Sequence, residues 1–353
     1  MKLSKKLCFM LAYALVILPF IGFYFGHYYT FLPFFVLFTL IPLIDVWLLD
    51  PSNPESTQEH LLLKDKYFKL ITWMYVPVQY CFMIFATYLV VRFPLTATEF
   101  IGFSLSIGLL TGGIGITLAH ELMHKNSTMD QLLSKALLVS VCYGHFFIEH
   151  VRGHHVHVAT PKDPATSRLG ESLYRFLPRT IIGSFRSALN IERKRLNRLG
   201  YRWYHVHNQF WWIMGLPVVL AIALFYYGGW RALLFFILQS LTAIFLLEII
   251  NYIEHYGLER KKLANGSYEK VSAQHSWNAS HWLSNMLLFH LQRHSDHHVY
   301  GARPYQVLRH IDSSPQLPSG YLGMIITALF PPLWRRVMDK RVLANRNRSA
   351  NNV

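Results

Sequence analysis

IGFSLSIGLLTGGIGITLAHELMHK, residues 101–125, carries an apolar run directly into two histidines. Roughly 20 apolar residues let a helix cross a bilayer, and this run shows no polar face that would suit the core of a soluble protein. Five of its residues are glycines (Gly102, Gly108, Gly112, Gly113 and Gly115), which suits close helix packing within a membrane. A helix packed tightly there would hold the HELMHK at its end in a fixed place.

The rest of the chain fits that reading. Its 353 residues are 52% hydrophobic and only 15% charged, with a mean hydropathy of +0.24. Apolar runs near 7–25, 29–49, 70–91, 100–119, 210–228 and 232–252 predict an all-α integral membrane protein with six transmembrane helices. The basic, apolar start MKLSKKLCFMLAYALVILPF resembles a signal peptide, but it lacks a clear cleavage site and another run begins at once, so it reads as the first span. Residues 1–353 are expected to form one membrane-embedded catalytic domain, with polar segments 120–208 and 255–353 completing it.

Six spans place both termini on one side. Of the 34 Lys and Arg residues, only Arg92 and Arg231 fall in loops of the opposite side, so the terminus side is expected to face the cytoplasm, in the inner membrane. The net charge of +15 is therefore gathered on one face. Topology and anionic lipid headgroups account for most of it, and an acidic docking partner would use the remainder. No nucleic-acid-binding motif accompanies the charge. Cys8, Cys81 and Cys142 stand alone, so neither a disulfide framework nor a cysteine-ligated iron centre is encoded.

Histidine is the informative residue. His120 and His124 are four apart and share one face of a helix. EHVRGHH supplies His150, His154 and His155; on an α-helix the first two share a face, while His155 points about 100° away and could reach a second metal. LQRHSDHH repeats the pattern with His294, His297 and His298. His255 lies just past the last span. Spans four and six end on the same side, so these nine imidazoles can converge. One tetrahedral site cannot use nine; two metals with four or five nitrogens each can. Glu121, Glu149, Glu254 and Asp296 adjoin these histidines and are candidates to orient them or to bind metal directly. His145, His157, His275, His281 and His290 lie near enough to support the site, while the remaining five histidines read as ordinary surface or core residues.

Imidazole suits zinc, copper, iron and nickel. HELMH matches the HExxH of zinc proteases, but that reading leaves seven histidines idle. Soluble diiron proteins pair two ExxH motifs, and only Glu121 with His124 forms one here. A histidine-rich diiron centre accounts for more of the residues. A transporter or metal sensor would need polar residues within the spans, for which Asp45 and Glu248 are the few candidates.

These motifs resemble the integral-membrane alkane 1-monooxygenases, non-haem diiron enzymes related to the membrane fatty acid desaturases. The similarity runs through HELMHK, EHVRGHHVHVATPKDP (149–164), RLGESLYRFLPR (168–179), NYIEHYGLER (251–260), LQRHSDHH (291–298), PQLPSGYLGM (315–324) and the tail PPLWRRVMDKRV. Lys340 departs from the pattern, where proline is expected. The resemblance implies that all nine histidines bind two irons at the end of an apolar channel, with O2 as co-substrate and an alkane giving a primary alcohol. It implies electrons from NADH through a reductase and rubredoxin. The cysteines of a fused rubredoxin are missing, so a separate one is expected. An aromatic methyl group or a fatty acyl chain is the alternative substrate. Trp47 and the glycines of span four are the candidates for the channel wall.

Overall fold

The computed structural model describes residues 6–351, and the side chains of residues 6–348. It is helical. Among the described residues, β-pairing is confined to three isolated bridges, one of which joins Leu49 to His281.

Five helices are long and apolar enough to cross a membrane: Cys8–Phe25, His27–Asp45, Lys66–Arg92, Ala97–Met123 and Gln209–His255. Their outer faces carry exposed apolar side chains such as Leu43, Ile84 and Trp230, as lipid contact requires. The protein is therefore a membrane protein. The last helix is 47 residues long, or about 70 Å at 1.5 Å per residue, against a hydrocarbon core of about 30 Å. It breaks at Gly228 and Gly229, and Gly229 has φ 61°, which only glycine adopts without strain. The two apolar runs expected near 210–228 and 232–252 are the limbs on either side of that break.

Local chemistry fixes the turns. Thr96 and Glu99 form a capping box at the start of Ala97–Met123, and Glu99 also accepts from the His27 backbone N–H at 2.8 Å. One carboxylate thus ties the turn between the first two helices to the turn between the next two. Helix Ala97–Met123 then lies directly against 230–255. A Cβ on Gly112 would come within 2.7 Å of Ala243 Cα, so a larger residue would force the two helices apart. This contact brings the helix ends that bear His120 and His255 to the same end of the bundle.

Among the described residues three segments are π-helical, one of them Val36–Leu40 in the second span. The other two, Thr111–Ile116 and His150–His154, bear on the site, with hydrogen bonds closing over one extra residue. Polar segments cover the helix ends. Asp45 accepts from the backbone N–H groups of Leu283 and Ser284, which anchors the short helix Trp282–Leu287. The basic run 191–202 largely falls in the amphipathic helix Leu173–Arg198; Glu192 within it is fully buried and holds Arg195 and Gln209.

Candidate metal centre

The nine histidines gather into two groups. His120, His124, His150, His155 and His297 form one, and His154, His255, His294 and His298 the other; within each group the facing nitrogens all lie within 4.8 Å of one another. In the five-histidine group, His155 Nε2 is 3.1 Å from His150 Nε2 and 3.1 Å from His297 Nε2. In the four-histidine group, His298 Nε2 lies 2.9 Å from His294 Nε2 and 3.3 Å from His154 Nε2, and His294 Nε2 lies 3.3 Å from His255 Nε2.

Helix geometry explains the sorting. His120 and His124 share a face and enter one group together. His294 and His298, also four apart on an α-helical turn, enter the other, while His297 points across to the first. EHVRGHH departs from the α-helical expectation. Its π-helical turn makes positions five apart neighbours, so His150 pairs with His155 and His154 is the one that reaches the second group.

Donor chemistry fits a metal in each group. The Nε2 atoms of His120 and His124 are buried without a hydrogen-bond partner, a costly state unless something else binds them. Burial and the neighbouring rings push His150, His155, His294, His297 and His298 well below the ordinary imidazole range, and His124 to about 3. These rings are neutral at pH 7, the form that ligates. Neutral nitrogens crowded this closely cannot all donate to one another. A cation between them satisfies their lone pairs.

The carboxylates behave differently from one another. Glu254 Oε2 lies 3.2 Å from His294 Nε2, on the metal-facing side of the four-histidine group. Glu149 is buried under the π-helical turn, with Oε1 lacking a hydrogen-bond partner. Glu121 pairs with Lys125 at 2.7 Å and accepts from the Tyr305 backbone N–H. Asp296 holds the Arg303 guanidinium and the Arg309 backbone N–H. So these last two brace loops around the site, and their partners are arginine, lysine and backbone groups.

Sequence reasoning missed Asp163. Its Oδ2 accepts from His154 Nδ1 at 2.8 Å and from the Thr166 hydroxyl at 2.6 Å, which turns His154 Nε2 toward its group. Burial alone would raise this carboxyl, but His154 and Thr166 hold it below its ordinary value. The only sequence signal was its place in TPKDP, nine residues past His154. His255 Nδ1 is oriented by the His275 carbonyl at 3.3 Å, so His275 contributes its backbone, while its ring contacts Ser272 and Glu269. Of the other nearby histidines, His290 bonds the Tyr305 carbonyl, His145 packs on Tyr143, and none of His145, His157, His281 and His290 joins either group.

An apolar cavity opens onto the centre. Gly112, Gly113, Ile116 and Thr117 form one wall, Leu246, Leu247 and Ile250 another, and Leu288, Leu291, Leu322 and Ile325 close it. Its inner end is bounded by His120 and His150 of the five-histidine group and by Glu254, which lies beside His294 of the other. Two glycines of the fourth apolar run do line it. Trp47 does not; it is 85% exposed on the outer surface.

Residues 96–328 match the model of the fatty acid desaturase family. Alkane 1-monooxygenase 2 of Pseudomonas aeruginosa is 46% identical over 88% of this chain and 83% of its own length. The chain belongs to the alkane 1-monooxygenase branch of the fatty acid desaturase family. Alkane 1-monooxygenase of Acinetobacter baylyi is 43% identical over 87% of this chain and 75% of its own length. The xylene/toluene monooxygenase hydroxylase component of Pseudomonas putida is more distant, 29% identical over 68% of this chain and 63% of its own. The matched region contains both histidine groups and the cavity walls, so membership in this branch of oxidoreductases covers the site as well as the fold.

Proposed function

We propose that this protein hydroxylates the terminal carbon of an alkane: alkane, O2, two electrons and two protons give a primary alcohol and water. One observation carries the reading. An apolar cavity ends on His120 and His150 of one histidine group and on Glu254 beside the other. An apolar molecule suits those walls, and whichever part of it lies innermost is brought to His120 and His150. Selectivity for the stronger terminal C–H bond then comes from position.

The nine histidines are the proposed ligands of two non-haem irons, five nitrogens to one and four to the other, with Glu254 placed to add an oxygen. Iron bound there would supply O2 reduction and oxidation of the C–H bond. The chain does the rest. Asp163 and the His275 carbonyl fix the tautomers of His154 and His255. Leucine and isoleucine side chains exclude water and align the substrate.

The chain is proposed to cross the membrane six times, since the limbs on either side of Gly228 and Gly229 each suffice for one crossing. That returns both helix ends bearing His120 and His255 to one side, which the distribution of Lys and Arg makes cytoplasmic. A separate rubredoxin and its NADH-dependent reductase are the proposed electron source.

Product analysis tests the function. Purified protein with rubredoxin, reductase and NADH should convert octane to 1-octanol. Hydroxylation of xylene or a fatty acid with no product from octane or hexadecane would assign the cavity to another substrate.

A further inference from the structure

Glu248 is a buried carboxyl on a membrane-spanning helix, and the hydroxylation reading gives it no task. A carboxyl placed where water is scarce is costly unless donors surround it. Three do. The Tyr143 hydroxyl donates to Oε1, and the Thr180 hydroxyl donates to Oε2 at 2.8 Å. The third donor is Asn251 Nδ2, at 3.2 Å from Oε2. The carboxyl is thus a clamp on an amide.

That amide lines the apolar cavity, and Glu248 does not. Leu247, Asn251 and Glu254 are spaced i, i+4, i+7 and share one helix face. Asn251 therefore sits about 4.5 Å along the helix from Glu254, close to the inner end of the cavity. An amide side chain has a donor end and an acceptor end. Nδ2 is committed to Glu248, behind the wall, so Oδ1 is the end left for the cavity.

The other polar groups of the wall already have tasks. The Thr117 hydroxyl donates to the Gly113 carbonyl at 2.6 Å. His120 and His150 belong to the five-histidine group, and Glu254 lies beside His294. Among the described residues that line the cavity, Asn251 is the only amide. An acceptor in that position gains nothing from a hydrocarbon. A primary alcohol with its hydroxyl innermost satisfies it.

We propose that Asn251 Oδ1 accepts the O–H of a primary alcohol lying hydroxyl-inward along the apolar walls, so that the cavity holds the alcohol more tightly than an alkane of equal length. The inference rests on the reading of this cavity as the alkane site, and it adds a consequence: product competes with substrate for the same space. With an alkane bound, Oδ1 has no donor; with the alcohol bound it has one, and a hydrogen bond of this kind is worth about fivefold in affinity.

The test is equilibrium binding to resting full-length protein in detergent, without an electron donor and corrected for partition into protein-free micelles. Radiolabelled 1-decanol is displaced by unlabelled ligands. In wild type, 1-decanol should compete about fivefold better than decane. It should outcompete 1-methoxynonane by the same factor, since that ether has equal length and an oxygen but no O–H. Asn251→Leu should weaken 1-decanol about fivefold and leave decane unchanged, at wild-type iron content. Equal competition by 1-decanol and 1-methoxynonane in wild type would overturn the proposal, whatever the variant does. So would an unchanged affinity for 1-decanol in Asn251→Leu. Equal weakening of decane and 1-decanol in that variant would confine Asn251 to packing and overturn it too. Failure of wild-type protein to make 1-octanol from octane, when supplied with electrons, would instead refute the hydroxylase reading; the binding comparison needs no turnover and is separable from that result.

Discussion

Glu254 Oε2 stands 3.2 Å from His294 Nε2, the same nitrogen that lies 2.9 Å from His298 Nε2 and 3.3 Å from His255 Nε2. A carboxylate oxygen therefore joins the group that has only four imidazoles, and it does so at the inner end of the apolar cavity. Replacing Glu254 by alanine should lower octanol formation about 10–100-fold, the range typical of groups that tune a metal site. Iron should remain at the five-histidine group, so total iron should fall by no more than one per chain. Wild-type turnover by Glu254→Ala would show that the carboxylate serves packing alone.

Asp163 acts through His154. Asp163→Ala removes the acceptor that sets the His154 tautomer, and iron should leave the four-histidine group about 10–100-fold more readily. The check is iron retained after graded chelator dialysis, in which one of two irons should be lost early. Asp163→Asn, whose amide oxygen can still accept from Nδ1, should retain more iron than the alanine variant. Equal loss from both variants would mean that charge, and not tautomer control, is what His154 needs.

Gly113 has no packing reason to be glycine. A Cβ there would meet only Leu246 Cδ2, at an ordinary 3.6 Å, whereas Gly112 is pressed against Ala243. Gly113 lies seven residues before His120, and both line the cavity. Gly113→Val should therefore shorten the longest alkane accepted while octane turnover persists. Competition across alkanes from hexane to hexadecane measures it. A chain-length profile identical to wild type would place the substrate elsewhere.

His145 provides a pH signature. Both ring nitrogens are buried without a hydrogen-bond partner, the ring packs on Tyr143, and burial pushes its pKa down to about 4. Between pH 6.5 and 4 the unfolded chain takes up a proton that the folded chain refuses, so stability falls as pH falls through that window. The loss is about 2 kcal/mol at pH 5 relative to pH 7. His145→Phe should flatten the acid side of the thermal-stability curve in detergent by about that amount. Parallel curves would show that His145 is not buried as a neutral ring.

The sequence made the histidines legible because spacing along a helix is local. HELMHK and HSDHH form α-helical turns, so spacing alone predicted which rings share a face. His155 changed groups because a π-helical turn is a matter of one extra residue per hydrogen-bonded ring, and nothing in EHVRGHH announces it. Asp163 was hidden for a different reason: it reaches His154 across a loop, and neighbours through space leave no periodicity. Glu121 and Asp296 adjoin clustered histidines in sequence yet turn to Lys125 and Arg303, because consecutive side chains on a helix point in different directions. Trp47 sits beyond its helix end on the outer surface, where tryptophan anchors at a membrane interface.

The iron-to-chain ratio of purified protein tests the central claim most directly, measured for wild type beside His255→Ala. Two histidine groups predict two irons per wild-type chain. Removing His255 strips one nitrogen from the four-histidine group alone, so the variant should hold close to one. A wild-type ratio of one, zinc in place of iron, or two irons retained by His255→Ala would contradict the account.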